Sequence, residues 1–150
     1  MIAVLQRVSS GGVKIPAENY EAEIGKGLVI LLGVKNGDTE NDAVYTANKC
    51  CSLRIFQDEN DKMNLSVKDV NGEVLIISQF TLYGDTSRGN RPGFTDAARP
   101  EQAIPLYEKF ISVMKENLGE NKIKTGIFGA MMNVKIINDG HVTVIVKSKE

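Results

Sequence analysis

Two stretches of the chain are apolar almost without interruption. Leu28–Val34 reads LVILLGV and Glu73–Leu82 reads EVLIISQFTL. Runs this short and this rich in branched residues predict strands buried on both faces. Residues 2–8 predict a further strand, and Val13–Ile24 a hairpin turning near Pro16–Asn19. Arg54–Phe56 begins a short strand, with a polar turn at Gln57–Lys62. Near the other end, Ala130–Ile137 and Val142–Lys147 read as two strands joined by the tight turn Asn138–Asp139–Gly140–His141. Helical spacing occurs twice. Val44, Ala47 and Cys51 mark a helix over Thr39–Leu53, capped by Asp38 or Thr39. Ile104, Tyr107, Ile111, Met114 and Leu118 form the stripe of a second helix over Glu101–Leu118. Many strands and two main helices without βαβ repetition predict an α/β chain with a mixed, largely antiparallel sheet. No repeat, linker or shift of composition divides residues 1–150, so one domain is expected.

Composition narrows the setting more than the chemistry. A hydrophobic fraction of 42% and a charged fraction of 25% are those of a folded, water-soluble protein. No run approaches the ~20 apolar residues of a membrane span. The opening MIAVLQRV lacks the basic lead-in of a secretory signal, which makes the cytoplasm the expected location and a membrane partner unexpected. A net charge of −1 argues against an extended grip on nucleic acid, but not against handling one end of it. Cys50 and Cys51 are adjacent, which suits packing better than a disulfide framework or a metal site.

The candidate chemistry starts from absences. There is no dinucleotide fingerprint, phosphate loop, H-E-x-x-H or nucleophile elbow, and His141 is the only histidine. No metal and no cofactor are expected. Ser78–Gln79–Phe80–Thr81–Leu82 lies where an apolar strand breaks into the long polar segment 83–100. Amides freed at a strand end can hold a developing oxyanion, with Ser78 and Thr81 supplying hydroxyls and Gln79 an amide. The plain alternative is that Ser and Thr tolerate half-burial in a strand while Gln79 faces solvent. In the loop, Arg88 and Arg91 suit phosphates and Phe94 can stack on a base. The alternative there is a solvated loop with Phe94 tucked into the core.

These segments together resemble the D-aminoacyl-tRNA deacylases of the bacterial and eukaryotic type. The resemblance runs through MIAVLQRV, LVILLGV, RIFQDENDKMNLSV, the hallmark SQFTL, RGNRPGF and the closing N-D-G-x-V-T. It implies a compact, barrel-like α/β domain that forms a homodimer with active sites at the subunit interface. It implies hydrolysis of the ester between a D-amino acid, or glycine, and the 3′-terminal adenosine of tRNA, a proofreading step in translation. The partner is then the acceptor end of an aminoacyl-tRNA. By matching position, Ser78, Gln79, Phe80 and Thr81 line the catalytic pocket, with the amides of Phe80 and Thr81 facing the scissile carbonyl. The resemblance offers two roles for Thr81, nucleophile or mere positioner beside the adenosine's own 2′-hydroxyl. Nothing in SQFTL activates a threonine, which favours positioning.

The resemblance also implies a Gly-Pro pair with a cis peptide, inserted into the partner's site as a chiral screen and fixed by an arginine of the first strand, here Arg7. This chain reads Gly140–His141 instead. A cis bond costs about 2.5–4 kcal/mol before a non-proline residue, against about 0.5–1 before proline, so a trans bond is expected. His141 is then a turn residue, a contact to amino acid or adenosine, or a general base. The alternatives to the deacylase are a silent binder of the acceptor end, or a deacylase with relaxed chirality or a different acyl group.

Overall fold

The spine of the fold is one long strand, β1 (Ile2–Ile15), which runs through Ser9–Gly12 where the sequence predicts a gap. In the computed structural model, which describes residues 1–149, both edges of β1 are occupied. On one edge, Ile2–Val8 pairs antiparallel with β3 (Gly27–Gly33), and Gly11–Ile15 with β2 (Tyr20–Ile24). The hairpin between β1 and β2 turns through Pro16–Glu18 and closes on Asn19, whose φ is 49°. The other edge carries β8 (Asn133–Lys147). The short antiparallel pair β4 (Phe56–Gln57) and β5 (Met63–Leu65) lies outside the main sheet. Beyond β3 the order continues in parallel through β6 (Glu73–Ser78) to β7 (Ile123–Thr125), a strand the sequence reading missed. The sheet is therefore mixed, and it curls like a barrel: the Tyr20 hydroxyl on β2 donates to the Thr125 carbonyl on β7 at 2.7 Å.

The unbroken apolar runs have a simple cause, since β3 and β6 are covered on both faces. Leu28, Ile30 and Leu32 with Val74 and Ile76 face α1 (Glu40–Ser52) and α2 (Pro100–Leu118) in the larger core. Val29, Leu75 and Ile77 face inward with Val8, Val13 and Ile15. The helices occur as expected, but α2 presents a different stripe. Ala103, Leu106, Tyr107, Phe110, Val113 and Met114 are buried, whereas Ile104 is exposed and Ile111 and Leu118 only border the core. Thr39 occupies the N-cap of α1, where its amide donates to the Asp42 carboxylate at 2.8 Å. Burial pushes Asp42 up, but the bonds from Thr39, Ser148 and Lys149 outweigh it and hold the carboxyl at about 2. The Met1 ammonium meets Asp38 at 2.7 Å and Lys149 meets Asp42 at 3.1 Å, tying both ends of the chain to the start of α1. Cys50 and Cys51 are buried, and the Cys51 thiol lies 3.3 Å from the Met114 sulfur. Burial raises both thiols, Cys51 to about 11, so neither is a thiolate at neutral pH. Among the described residues no helix is long and apolar enough to cross a membrane.

Two further expectations are corrected. The C-terminal segment is not a hairpin but a single strand, since Asn133 pairs with Lys14 and Lys147 with Ile2 in one continuing direction. Asn138–Asp139–Gly140 bulges out of β8 without reversing it, because four residues, 139–142, face Arg7 alone between the pairs Val8–Asn138 and Gln6–Thr143. The Gly140–His141 peptide within this bulge is cis, not trans. Local preference is overridden there by a tertiary grip: the buried Arg7, 2% exposed, donates to the Asp139 carbonyl at 3.1 Å and to the Ile55 carbonyl at 2.9 Å.

Candidate active site

β6 ends at Ser78, four residues before the predicted limit of that strand. Its last bond to the sheet runs from the Gln79 amide to the Leu32 carbonyl at 2.8 Å. The chain then tightens into a 3-10 turn over Phe80–Tyr83, closed by Leu82 N–H to Gln79 and Gly84 N–H to Thr81. The opening amides of such a turn have no acceptor one turn back. Those of Phe80 and Thr81 accordingly meet no acceptor among the described residues. They sit on a rigid stub of the sheet, which is the geometry an oxyanion site needs.

A cleft of about 320 Å³ opens beside this turn. Ser78, Gln79 and Phe80 form one wall, and Ala103 and Tyr107 of α2 the second. The third is Phe128–Gly129–Ala130–Met131–Met132, where the strand expected from Ala130 starts only at Asn133 and the residues before it line the cleft. Its lining is mostly apolar. Phe80 is 56% exposed and Met131 88%, so the mouth of the cleft is bordered by uncovered apolar side chains. Tyr107 is the one titratable group among the lining residues, and it donates to the Ile76 carbonyl at 3.1 Å. Burial pushes its phenol well above the ordinary value, so it stays protonated at neutral pH. Tyr83, at the end of the turn, is raised in the same sense by burial and by the carboxylates of Asp38 and Asp42.

The Gln79 side chain donates through its amide nitrogen to Thr81 Oγ1. A threonine that attacks needs a neighbour that takes its proton. Here the neighbour gives one, so Thr81 is left with its own proton to donate. The arrangement can orient an ester and stabilise an oxyanion, but it holds no side-chain base beside Thr81 among the described residues.

The sequence-predicted residues divide into two places. Ser78 ends β6, Gln79 caps the turn and Phe80 and Thr81 open it; the first three line the cleft, Thr81 does not, and Phe94 joins this group. The Phe94 ring meets that of Phe80 edge to face, with centroids 5.2 Å apart, and is 39% exposed, neither in the core nor free in solvent. Arg7, Gly140 and His141 do not line this cleft. Gly140 and His141 stand exposed on the β8 bulge, with Arg7 buried behind them. Among the described residues no group of three His, Cys, Asp or Glu side chains is arranged to hold a metal ion.

A sequence profile of the family described as D-Tyr-tRNA(Tyr) deacylase matches residues 4–147. A D-aminoacyl-tRNA deacylase of Cytophaga hutchinsonii is 55% identical over 149 residues, covering 99% of this chain and 98% of that protein. One of Halalkalibacterium halodurans is also 55% identical, covering 99% and 100%. Among solved structures, a c-Myc DNA unwinding element binding protein superposes with a TM-score of 0.93 at 38% identity, over 100% of both chains. A probable eukaryotic D-amino acid tRNA deacylase has the same fold, with a TM-score of 0.85 at 14% identity over 97% of each chain. With a match that spans nearly the whole length, this chain belongs to the D-Tyr-tRNA(Tyr) deacylase family.

Proposed function

We propose that this protein hydrolyses the ester that joins a D-amino acid, or glycine, to the 3′-terminal adenosine of tRNA, and so works in the cytoplasm as a proofreading step of translation. The observation that carries the reading is the pair of uncommitted amides, Phe80 and Thr81, beside an apolar cleft. The cleft is sized for a single nucleoside. In the productive pose the two amides face the carbonyl oxygen of the ester, where they stabilise the charge of the tetrahedral intermediate. Water attacks the carbonyl carbon, the adenosine's 2′-hydroxyl relays a proton from that water to the 3′-oxygen, and the bond between the carbonyl carbon and the 3′-oxygen breaks, releasing the free amino acid and the tRNA 3′-hydroxyl. Ser78, Gln79 and the Thr81 hydroxyl orient the substrate, with Phe80 and Phe94 at its rim.

The functional unit in this reading is a homodimer. The bulge of one chain, with Gly140 and His141, reaches the cleft of its partner as the chiral screen, and Arg7 holds it from behind. In support, the outer edge of β8 has no strand partner among the described residues, and Ile137 and Ile145 on that strand are exposed. Such an edge and such side chains are ordinarily covered. A sedimenting mass of one chain at assay concentration would remove the dimer from this account.

The test is the hydrolysis rate of D-tyrosyl-tRNA, L-tyrosyl-tRNA and glycyl-tRNA by the purified protein. Cleavage of the D and glycyl esters well ahead of the L ester is expected, and failure to cleave any of the three would sink the function. In the same assay Thr81→Ala is expected to lower kcat by no more than about tenfold, the loss of one orienting contact. A covalent nucleophile would cost on the order of a millionfold. His141→Ala is expected to narrow the D-over-L ratio; an unchanged ratio would leave His141 a surface residue of the bulge.

A further inference from the structure

Segment 84–99 is not a slack connection. Asp85 and Gly93 exchange both backbone bonds, at 2.7 and 2.9 Å, and so close a small hairpin over the residues between them. The Ser87 amide donates to the Asp85 carboxylate at 2.9 Å, and Gly89 takes the left-handed backbone at φ 61°. The return leg is fastened to the end of β3: Ala98 donates to the Val34 carbonyl at 2.9 Å, Asn36 to the Asp96 carbonyl at 2.9 Å, and the Asn36 side chain to the Thr95 carbonyl at 2.7 Å. At its base Phe94 meets Phe80, the first residue of the catalytic turn. The hairpin is thus a fixed arm mounted on the mouth of the cleft.

What the arm presents is charge. Arg88 and Arg91 lie in its tip, both exposed, and neither enters an ion pair among the described residues. Arg99, beyond the hairpin, is by contrast within 3.7 Å of Glu101. Neither arginine lines the cleft. A ligand confined to the cleft would not meet them. A strand of RNA leaving the cleft would, because each nucleotide carries a phosphate that an arginine fork matches.

We propose that the Asp85–Gly93 hairpin is an RNA-backbone clamp, in which Arg88 and Arg91 hold the phosphates just upstream of the terminal nucleoside. The inference rests on the functional reading above and adds to it how a protein with net charge −1 retains a polyanion. It does so by two local contacts, with no basic face required. The clamp carries affinity and register but no sequence information.

The experiment compares D-tyrosyl-tRNA with 3′-O-(D-tyrosyl)adenosine, which has the ester and the nucleoside but no phosphate. For Arg88→Gln/Arg91→Gln, KM on the tRNA is expected to rise about tenfold with kcat within about twofold. The slope of log kcat/KM against log salt becomes shallower by about 1.4, two single-strand phosphate contacts at ~0.7 each. Hydrolysis of the aminoacyl-adenosine stays at the wild-type rate. Arg88→Lys/Arg91→Lys, which keeps the charge, retains most of the salt slope. An unchanged KM and slope on tRNA would overturn the clamp, and so would an equal loss on both substrates. Inactivity of the wild-type protein on both would overturn the functional reading itself, and the clamp with it.

Discussion

Arg7→Leu is expected to lower the stability of the fold by about 1–3 kcal/mol and to erode the preference for D over L substrates. The guanidinium is buried and points two ways at once: Nη1 donates to the Ile55 carbonyl at 2.9 Å, and Nε to the Asp139 carbonyl at 3.1 Å. Its ion pair with the Asp139 carboxylate, 3.5 Å away, contributes little, because that side chain is 43% exposed. The loss comes from the carbonyls. Leucine fills much of the space of the arginine stem, but it leaves the Ile55 carbonyl without its donor at a cost of about 1–3 kcal/mol. It also removes the Nε–H bond to the Asp139 carbonyl, the hydrogen bond by which this side chain grips the bulge. Gly140 fits the same arrangement, since a methyl group there would strike the guanidinium. Lysine keeps the charge but cannot reach both carbonyls as a planar fork, so Arg7→Lys should fall between. Urea denaturation reads the first effect and the ratio of D- to L-tyrosyl-tRNA hydrolysis the second. If Arg7→Leu kept both the unfolding midpoint and the ratio, Arg7 would have no part in either.

The sequence foretold best where burial on two faces left a local trace. β3 and β6 stand out as apolar runs because sheet neighbours and helices cover them completely, and the Phe80–Tyr83 turn lies at the end of one of them. The bulge in β8 misled for the opposite reason. Asn-Asp-Gly is a strong turn signal, and only a residue far away in the chain, Arg7, makes it an excursion within one strand. In α2 the 3.6-residue spacing revealed the helix but favoured Ile104 over Phe110, whose burial depends on where the sheet lies. The cleft was half legible. Ser78–Thr81 announces itself as a polar break in a strand. Phe128–Met132 was not legible as a wall, because its apolar Ala130–Met132 reads as the start of the strand that begins only at Asn133. Tyr107 was correctly placed in the stripe, yet periodicity does not tell a residue packed in the core from one that borders a void.

Gly27→Ala is expected to be the costliest single-methyl substitution in the sheet, about 4 kcal/mol or more, most of the margin of a domain at the low end of ordinary stability. Gly27 opens β3 where that strand begins its parallel pairing with β6, opposite Glu73. A Cβ there would fall on the Glu73 carbonyl and within 2.8 Å of its amide nitrogen, and both are backbone atoms that no rotamer change can move. The Glu73 amide is itself committed to the Lys26 carbonyl at 3.0 Å. The two strands must therefore separate at this end. Since the Gln79 amide hangs on the Leu32 carbonyl at the other end of the same seam, the turn that carries Phe80 and Thr81 is strained at its mount as well. Gly25→Ala is the matched control. Its Cβ would meet only the end of the Glu73 side chain, at 3.5 Å, and it should cost under about 1 kcal/mol. Urea unfolding of the two variants separates a steric demand at one position from a general loss of glycine. Equal midpoints would mean that the β3–β6 seam is looser than the strand pairing requires, and that the turn carrying Phe80 and Thr81 is held by something other than this sheet.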